Sequence, residues 1–284
     1  MRSLINIVAL ITILSPSISN AGLIYTVDVD ADELLRVNDV TGDVETIGSL
    51  GRSVESMKLT RIGDRLFGLN TGLGPELFEI DHQTGSILSA ESLTYSGGLG
   101  RVESFGHVGN QLKVGFNTNG GTVSNLLGDL AVDGTVSNAI AFGNTPAGNG
   151  TDFDTLGAGT GTKMYASDSN FPFGNTSDDT IYFALDTDTN NRVEVARFSD
   201  TGYFPNDIVL NGSELLNMGQ TSAGSLIRGI DVDTGSVRDQ MLSRSGNFQG
   251  IASAASVPEP SSACLVLMFG NFFMSRRGRR DTIA

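Results

Sequence analysis

Tryptophan is absent from the 284 residues, histidine occurs twice, lysine three times and cysteine once. The single cysteine, Cys264, lies in an apolar stretch near the C-terminus. The rest of the chain therefore has neither disulfide nor thiolate, which excludes stapled miniature scaffolds and Cys-type zinc sites. Positive charge is also scarce. Five of the 18 Lys and Arg, but only two of the 32 Asp and Glu, fall in the two end segments, so residues 22–256 carry 13 cationic against 30 anionic side chains, a net charge of about −17. Phosphate backbones and anionic membrane surfaces repel such a domain, and nucleic-acid binding is excluded.

The two ends differ in composition from what lies between them. Residues 1–21 read as a secretory signal: Arg2 is the positive start, Leu4 to Leu14 is nearly unbroken apolar sequence, and Ser19-Asn20-Ala21 supplies small residues for a signal peptidase. The apolar run is short for a bilayer span of about 20 residues, which favours cleavage after Ala21 over retention as an anchor. Residues 22–256 are enough to bury a core and read as one domain. Residues 257–284 form a separate tail.

The middle segment shows no helical periodicity. Short apolar and β-branched runs alternate with Gly, Asn, Asp and Thr, as hairpin-connected strands do. Aligned on their turns, the runs repeat. Glu76-Leu77-Phe78-Glu79-Ile80 leads into Asp81-His82-Gln83-Thr84-Gly85 and a further strand, and Leu226 to Ile230 leads into Asp231-Val232-Asp233-Thr234-Gly235 in the same way. Looser copies occur at Asp39-Val40-Thr41-Gly42, Asp133-Gly134 and Asp186 to Asn191. Glycine or asparagine supplies the positive φ of such a turn, and the aspartate bonds its own backbone. The turn recurs at Gly42, Gly85, Gly134, Asn190 and Gly235, at spacings of 43, 49, 56 and 45 residues. Spacings of 40–50 residues with several strands each point to propeller blades, although regularly spaced strands also serve a sandwich. The first repeat lacks its leading strand, and Phe248-Gln249-Gly250-Ile251-Ala252 has the pattern to complete it. Such closure removes exposed strand edges. The expectation is an all-β propeller of five four-stranded blades. The repeat resembles five- to seven-bladed propeller families with Leu-Phe-x-Ile-Asp-x-x-Thr-Gly turns, quinoprotein-like and surface-layer repeat proteins among them.

In the tail, Val257-Pro258-Glu259-Pro260 breaks any strand, because two prolines remove donors and fix φ. An apolar stretch, Cys264 to Met274, is interrupted by Gly270-Asn271 and followed by Arg276, Arg277, Arg279 and Arg280. A linker, an apolar helix and a basic stop in that order resemble the PEP-CTERM sorting signal of Gram-negative bacteria. The resemblance implies recognition of Pro258, Glu259 and Pro260 by an exosortase-type membrane protease. It also implies export through the inner membrane, transient anchoring, and a place at the cell surface or in extracellular polysaccharide. The stretch departs from a stable span of about 20 residues by being shorter, as suits a processed handle better than a lasting anchor.

No catalytic motif stands out. His82 lies in a turn and His107 follows Gly106 between strands, neither beside a Gly-x-Ser-x-Gly elbow. Asp28, Asp30 and Asp32 alternate as hard-cation ligands do, which makes calcium the one candidate cofactor. Against an EF-hand loop the match fails, with Glu33 where the turn glycine belongs and Asp39 where a bidentate Glu belongs. Turn chemistry accounts for the same aspartates without metal. Long Asn/Gly-rich connections (Asn117 to Gly121, Asn144 to Gly150, Asn170 to Asp179) place binding at one end of the propeller. Phe171, Phe173 and Tyr203 either stack on sugars there or anchor the loops to the core. The expected role is non-catalytic binding of polysaccharide or envelope proteins. The alternative is a polysaccharide lyase, hydrolase or cyclotransferase on the same scaffold, marked by a carboxylate pair about 5–10 Å apart.

Overall fold

The structure, a computed structural model, describes residues 22–254 apart from 73, 119–124, 143–154, 158, 160, 170–178, 190 and 200–202. The secretory signal, the sorting tail with Pro258 to Arg280, Phe171, Phe173, Asn190 and most of the long connections lie outside the described residues.

Among the described residues, twenty strands form five antiparallel four-stranded sheets. Blade 2 consists of β4 (Met57–Ile62), β5 (Arg65–Asn70), β6 (Glu76–Ile80) and β7 (Ile87–Ser92). Blade 3 has β8 (Leu99–Val108), β9 (Gln111–Thr118), β10 (Asn125–Leu130) and β11 (Val136–Phe142). Blade 4 has β12 (Thr155–Gly157), β13 (Lys163–Ser169), β14 (Asp179–Asp186) and β15 (Arg192–Ser199). Blade 5 has β16 (Phe204–Asn211), β17 (Glu214–Thr221), β18 (Gly224–Asp231) and β19 (Val237–Met241). Blade 1 joins the two ends of the domain: β20 (Phe248–Ser253) pairs antiparallel with β1 (Leu23–Asp28), which continues to β2 (Glu33–Asn38) and β3 (Val44–Ser49). The expected five-bladed propeller, closed by the Phe248–Ala252 strand, is what the chain forms. Among the described residues there is no helix, and so none long and apolar enough to cross a membrane.

The first strand of each sheet is innermost. β20, β4, β8, β12 and β16 pack against one another in a ring around the axis. Because each blade presents both faces to neighbours, the core is a series of layers between blades. Met57, Leu59 and Phe78 of blade 2 meet Val27 and Leu34 of blade 1. Phe67 and Leu69 meet Phe105 and Phe116 of blade 3. Ile227 and Met218 of blade 5 meet Ile24 and Ile251 of blade 1. Each such side chain contributes about 1.5–3 kcal/mol by leaving water. The innermost strands approach closely enough to need glycine. At Gly250 (φ 73) in β20, a Cβ would lie 3.1 Å from Leu59 N and 3.2 Å from Met57 O of β4.

The repeated turn is also a joint between blades. In blade 2, Asp81 Oδ1 accepts from Gln83 N at 2.8 Å, Oδ2 accepts from Thr84 Oγ1 at 2.9 Å, and Gly85 N donates to Asp81 O at 2.7 Å. These donors hold the Asp81 carboxyl below its usual range, as turn donors do for Asp133, Asp186 and Asp231. In blade 1 the aligned residue is Asn38, one position before Asp39: its Oδ1 accepts from Val40 N and Thr41 N, and its carbonyl accepts from Gly42 N. Asp39 turns instead to Arg238 of blade 5, 3.1 Å away. Gly42, Gly85 and Gly134, all at positive φ, sit against Met241, Gly48 and Ser92, which belong to the outer strands of the preceding blades or border them.

This joint predicts a graded pair of variants. Gly85→Ala forces a Cβ to 2.6 Å from Gly48 O at a φ of 82, whereas Gly235 has nothing within 4 Å. Left-handed strain alone costs about 1–2 kcal/mol, so Gly235→Ala is expected to lose that much and Gly85→Ala roughly twice as much in urea unfolding. Equal losses would mean that the joint carries no energy beyond the turn itself.

Candidate functional site

An innermost strand is hydrogen-bonded on one edge only, and the N–H groups on its axial edge need other partners. Side chains at the axis supply them. Asp207, inside β16, accepts at Oδ2 from Leu59 N of β4 and from Ile251 N of β20, each at 3.0 Å. Asn206 Nδ2 donates to Phe248 O at 3.1 Å, Met57 N donates to Gln249 Oε1 at 3.2 Å, and Lys58 Nζ donates to Asn206 O. Blades 1, 2 and 5 are thereby tied at the centre. Asp207 is fully buried and its Oδ1 has no partner among the described residues. Burial pushes its carboxyl up to about 7, against the opposing pull of Lys58 and the backbone N–H groups of Leu59, Ile251 and Ile208.

Behind Asp207 lies a second buried polar layer. Asn217 Nδ2 donates to Asp207 O at 2.8 Å, while Asn217 Oδ1 accepts from Tyr182 Oη at 3.0 Å and from Tyr203 Oη. Tyr203 is therefore an anchor in the core, with the Arg228 guanidinium 4.5 Å from its ring centroid, and not a stacking face. His107 lies within β8, not between strands, and its Nδ1 is 2.7 Å from Thr60 Oγ1. Burial holds its imidazole down at about 4, so it is neutral at pH 7. His82 is half-buried, with Nδ1 3.3 Å from Tyr25 Oη.

The two ends of the propeller are distinct. The β4–β5 turn, the Asp-x-x-Thr-Gly turns and both ends of the described chain lie on one face, where Ala254 N donates to Leu23 O at 3.0 Å. The β1–β2 hairpin with Asp28, Asp30 and Asp32 lies on the other, as do the strand ends flanking residues 119–124, 143–154 and 170–178. The three aspartates are engaged separately. Asp28 is buried and pairs with Arg244 at 3.0 Å, Asp30 Oδ1 accepts from Asn247 Nδ2 at 3.2 Å, and Asp32 Oδ1 accepts from Val54 N at 2.9 Å. Among the described residues, no three His, Cys, Asp or Glu gather as a metal-ligand set. Beside Asp30, between blades 1 and 5, is a cleft of about 340 Å³ lined by Gln220, Thr221, Ser225 and Asn247. Its amides are aligned in a chain: Gln220 Nε2 donates to Asn247 Oδ1 at 2.9 Å, and Asn247 Nδ2 to Asp30. Sequence reasoning missed Asp207 and this cleft, since both join residues far apart in the chain.

No protein-family model and no curated protein sequence matches the chain. Solved structures match it by fold. A chain from a nidogen/laminin complex superposes with a TM-score of 0.51 at 10% identity, over 82% of this chain and 98% of that one. A bifunctional GH43-CE protein of Bacteroides eggerthii does so with a TM-score of 0.52 at 12% identity, over 80% of this chain and 33% of that one. The chain thus spans about a third of the length of that second protein. At such identities the likeness is one of fold, and a propeller fold hosts binding and catalysis alike.

Proposed function

We propose that the protein is an exported, non-catalytic surface or matrix protein. In this reading the propeller binds polysaccharide or an envelope partner, and a PEP-CTERM-type tail, processed by an exosortase-type protease, directs its sorting. The observation that carries the binding role is the amide-lined cleft between blades 1 and 5, on the same face as the β1–β2 hairpin. Amides and hydroxyls on a rigid scaffold are the groups that recognise sugar hydroxyls. A glycan array probed with and without calcium, alongside an assay for released reducing ends and unsaturated products, tests it. The expected result is retention of at least one polysaccharide with no product. Product release would replace the reading with the lyase, hydrolase or cyclotransferase alternative. Absence of glycan binding in both conditions would point to a protein partner. For the tail, intact mass of the protein from its native envelope is expected to show a form lacking Arg276 to Arg280.

A further inference from the structure

On the opposite face, between blades 2 and 3, a cleft of about 610 Å³ opens beside the β4–β5 and β8–β9 turns. That volume falls within the roughly 300–1,000 Å³ of small-molecule sites. Beneath it lie the buried Phe67, Leu112 and Leu130, with the Arg65 guanidinium 4.7 Å over the Phe67 ring, and around it runs a rim of Asn110, Gln111, Val132 and Asn138. The charged groups that line it are already compensated. Asp129 is held by Lys113 Nζ at 2.5 Å and by Asn138 Nδ2 at 2.8 Å, and Arg65 makes two bonds of 2.8 Å to Glu79. The remaining groups are neutral: Asn138 Oδ1, Gln111 Oε1, the Asn110 amide and the Ser137 hydroxyl. The backbone is distorted to present them. The β10–β11 ladder shifts register between Leu127 and Asp129, and Asn138 opposite is one of two non-glycine residues at positive φ among those described (φ 47). Bulges and strained residues of this kind are features of sites, where they re-aim a side chain.

We infer that this inter-blade cleft binds an uncharged oligosaccharide, with the apolar faces of the sugar rings toward the exposed Val132 side chain and the hydroxyls on the Asn138, Gln111 and Asn110 amides. The inference rests on the polysaccharide-binding reading above and adds a second site, on the face away from the Asp28 hairpin. A charged sugar finds no free counter-ion here, and would leave its charge facing pairs that are already neutral.

The test uses the full chain and a panel of neutral gluco-, manno-, xylo- and galacto-tetrasaccharides, with a uronic-acid tetrasaccharide as the charged arm. Asn138→Gly suits the positive φ and deletes the amide, so it removes recognition without straining the fold. Val132→Glu places a charge at an exposed position on the rim. Each is expected to weaken binding of a neutral tetrasaccharide about tenfold or more, the equivalent of one good hydrogen bond, with an unchanged circular dichroism spectrum. As a second readout, an environment-sensitive dye on Val132→Cys, in a Cys264→Ser background, is expected to change emission on sugar binding. If the wild-type protein binds a neutral sugar and both variants bind it equally well, the cleft is not the site, while the polysaccharide reading stands. If the uronic-acid probe binds and the variants abolish that binding, the ligand class is wrong. Failure of the wild-type protein to bind any glycan removes both readings together.

Discussion

Replacing Asp207 by asparagine is expected to make the protein more stable at pH 8 and to leave its stability at pH 4 nearly unchanged. The buried carboxyl is pushed from 3.8 up to about 7. A carboxyl whose folded value is raised binds its proton more tightly in the native state. Its contribution to stability is present below 3.8 and is lost as pH rises toward 7. At about 1.4 kcal/mol per tenfold change in proton affinity, the loss is on the order of 4 kcal/mol, or about 10 °C in Tm for a domain of this size. His107 works in the opposite direction. Burial lowers it from 6.5 to about 4, so its contribution is present above 6.5 and is lost as pH falls toward 4. The same conversion gives roughly 3 kcal/mol.

The two slopes nearly cancel between pH 4 and 6.5. The wild-type protein should therefore show a flat profile there, and the single variants should uncover slopes of opposite sign. Asp207→Asn should gain stability relative to wild type as pH rises, and His107→Gln should gain it as pH falls. Thermal unfolding of the three proteins from pH 4 to 8 measures this. An Asp207→Asn curve parallel to wild type across that range would show that Asp207 does not titrate there. Asp207→Ala is a different experiment. It removes the acceptor of the Leu59 and Ile251 N–H groups, and two buried donors left without partners cost about 1–3 kcal/mol each at every pH.

The turn and the ring closure were legible in the sequence because both are local patterns. Asp81-x-x-Thr84-Gly85 carries its own hydrogen-bond donors and acceptors, and Phe248 to Ala252 resembles the leading strand that the first repeat lacks. What escaped depends on contacts distant in the chain. Asn38 and Asp39 both suit a turn, and only the placement of Arg238 on β19 shows that Asp39 serves the neighbouring blade. Asp207 to Leu210 is legible as a strand, but nothing local shows that the Asp207 carboxylate serves two other blades. That strand is innermost, with one edge facing the axis, where Pro205 and a register shift are tolerated. The inter-blade cleft was equally hidden, since it unites residues from Ile62 to Asn138 that no single repeat contains.

The position of the proposed cut relative to β20 leads to the second large effect. A chain stopped after Ser256, just before Val257-Pro258, keeps all the described strands and should unfold at the temperature of the longer protein. A chain stopped after Gly246 loses β20 and is expected not to form the propeller. The difference is ten residues at one end, yet it reaches the centre of the molecule. β20 carries Phe248 and Ile251, both fully buried between blades 1 and 5, and supplies the Ile251 N–H to Asp207 and Gln249 to Met57 N. Its removal bares the edge of β1 and the inner flanks of β4 and β16, which it separates. Losing two large core side chains alone costs on the order of 5 kcal/mol or more, comparable with the whole stability of a typical domain. Arg61 Nη1 binds the Ala254 carbonyl just beyond β20, so the closure is fastened up to that residue. Circular dichroism and limited proteolysis of the two truncations check this. A folded, protease-resistant chain ending at Gly246 would mean that the ring closes without its last strand. With the expected outcome, the processing proposed at Pro258-Glu259-Pro260 would release the tail at a point where the propeller no longer depends on it.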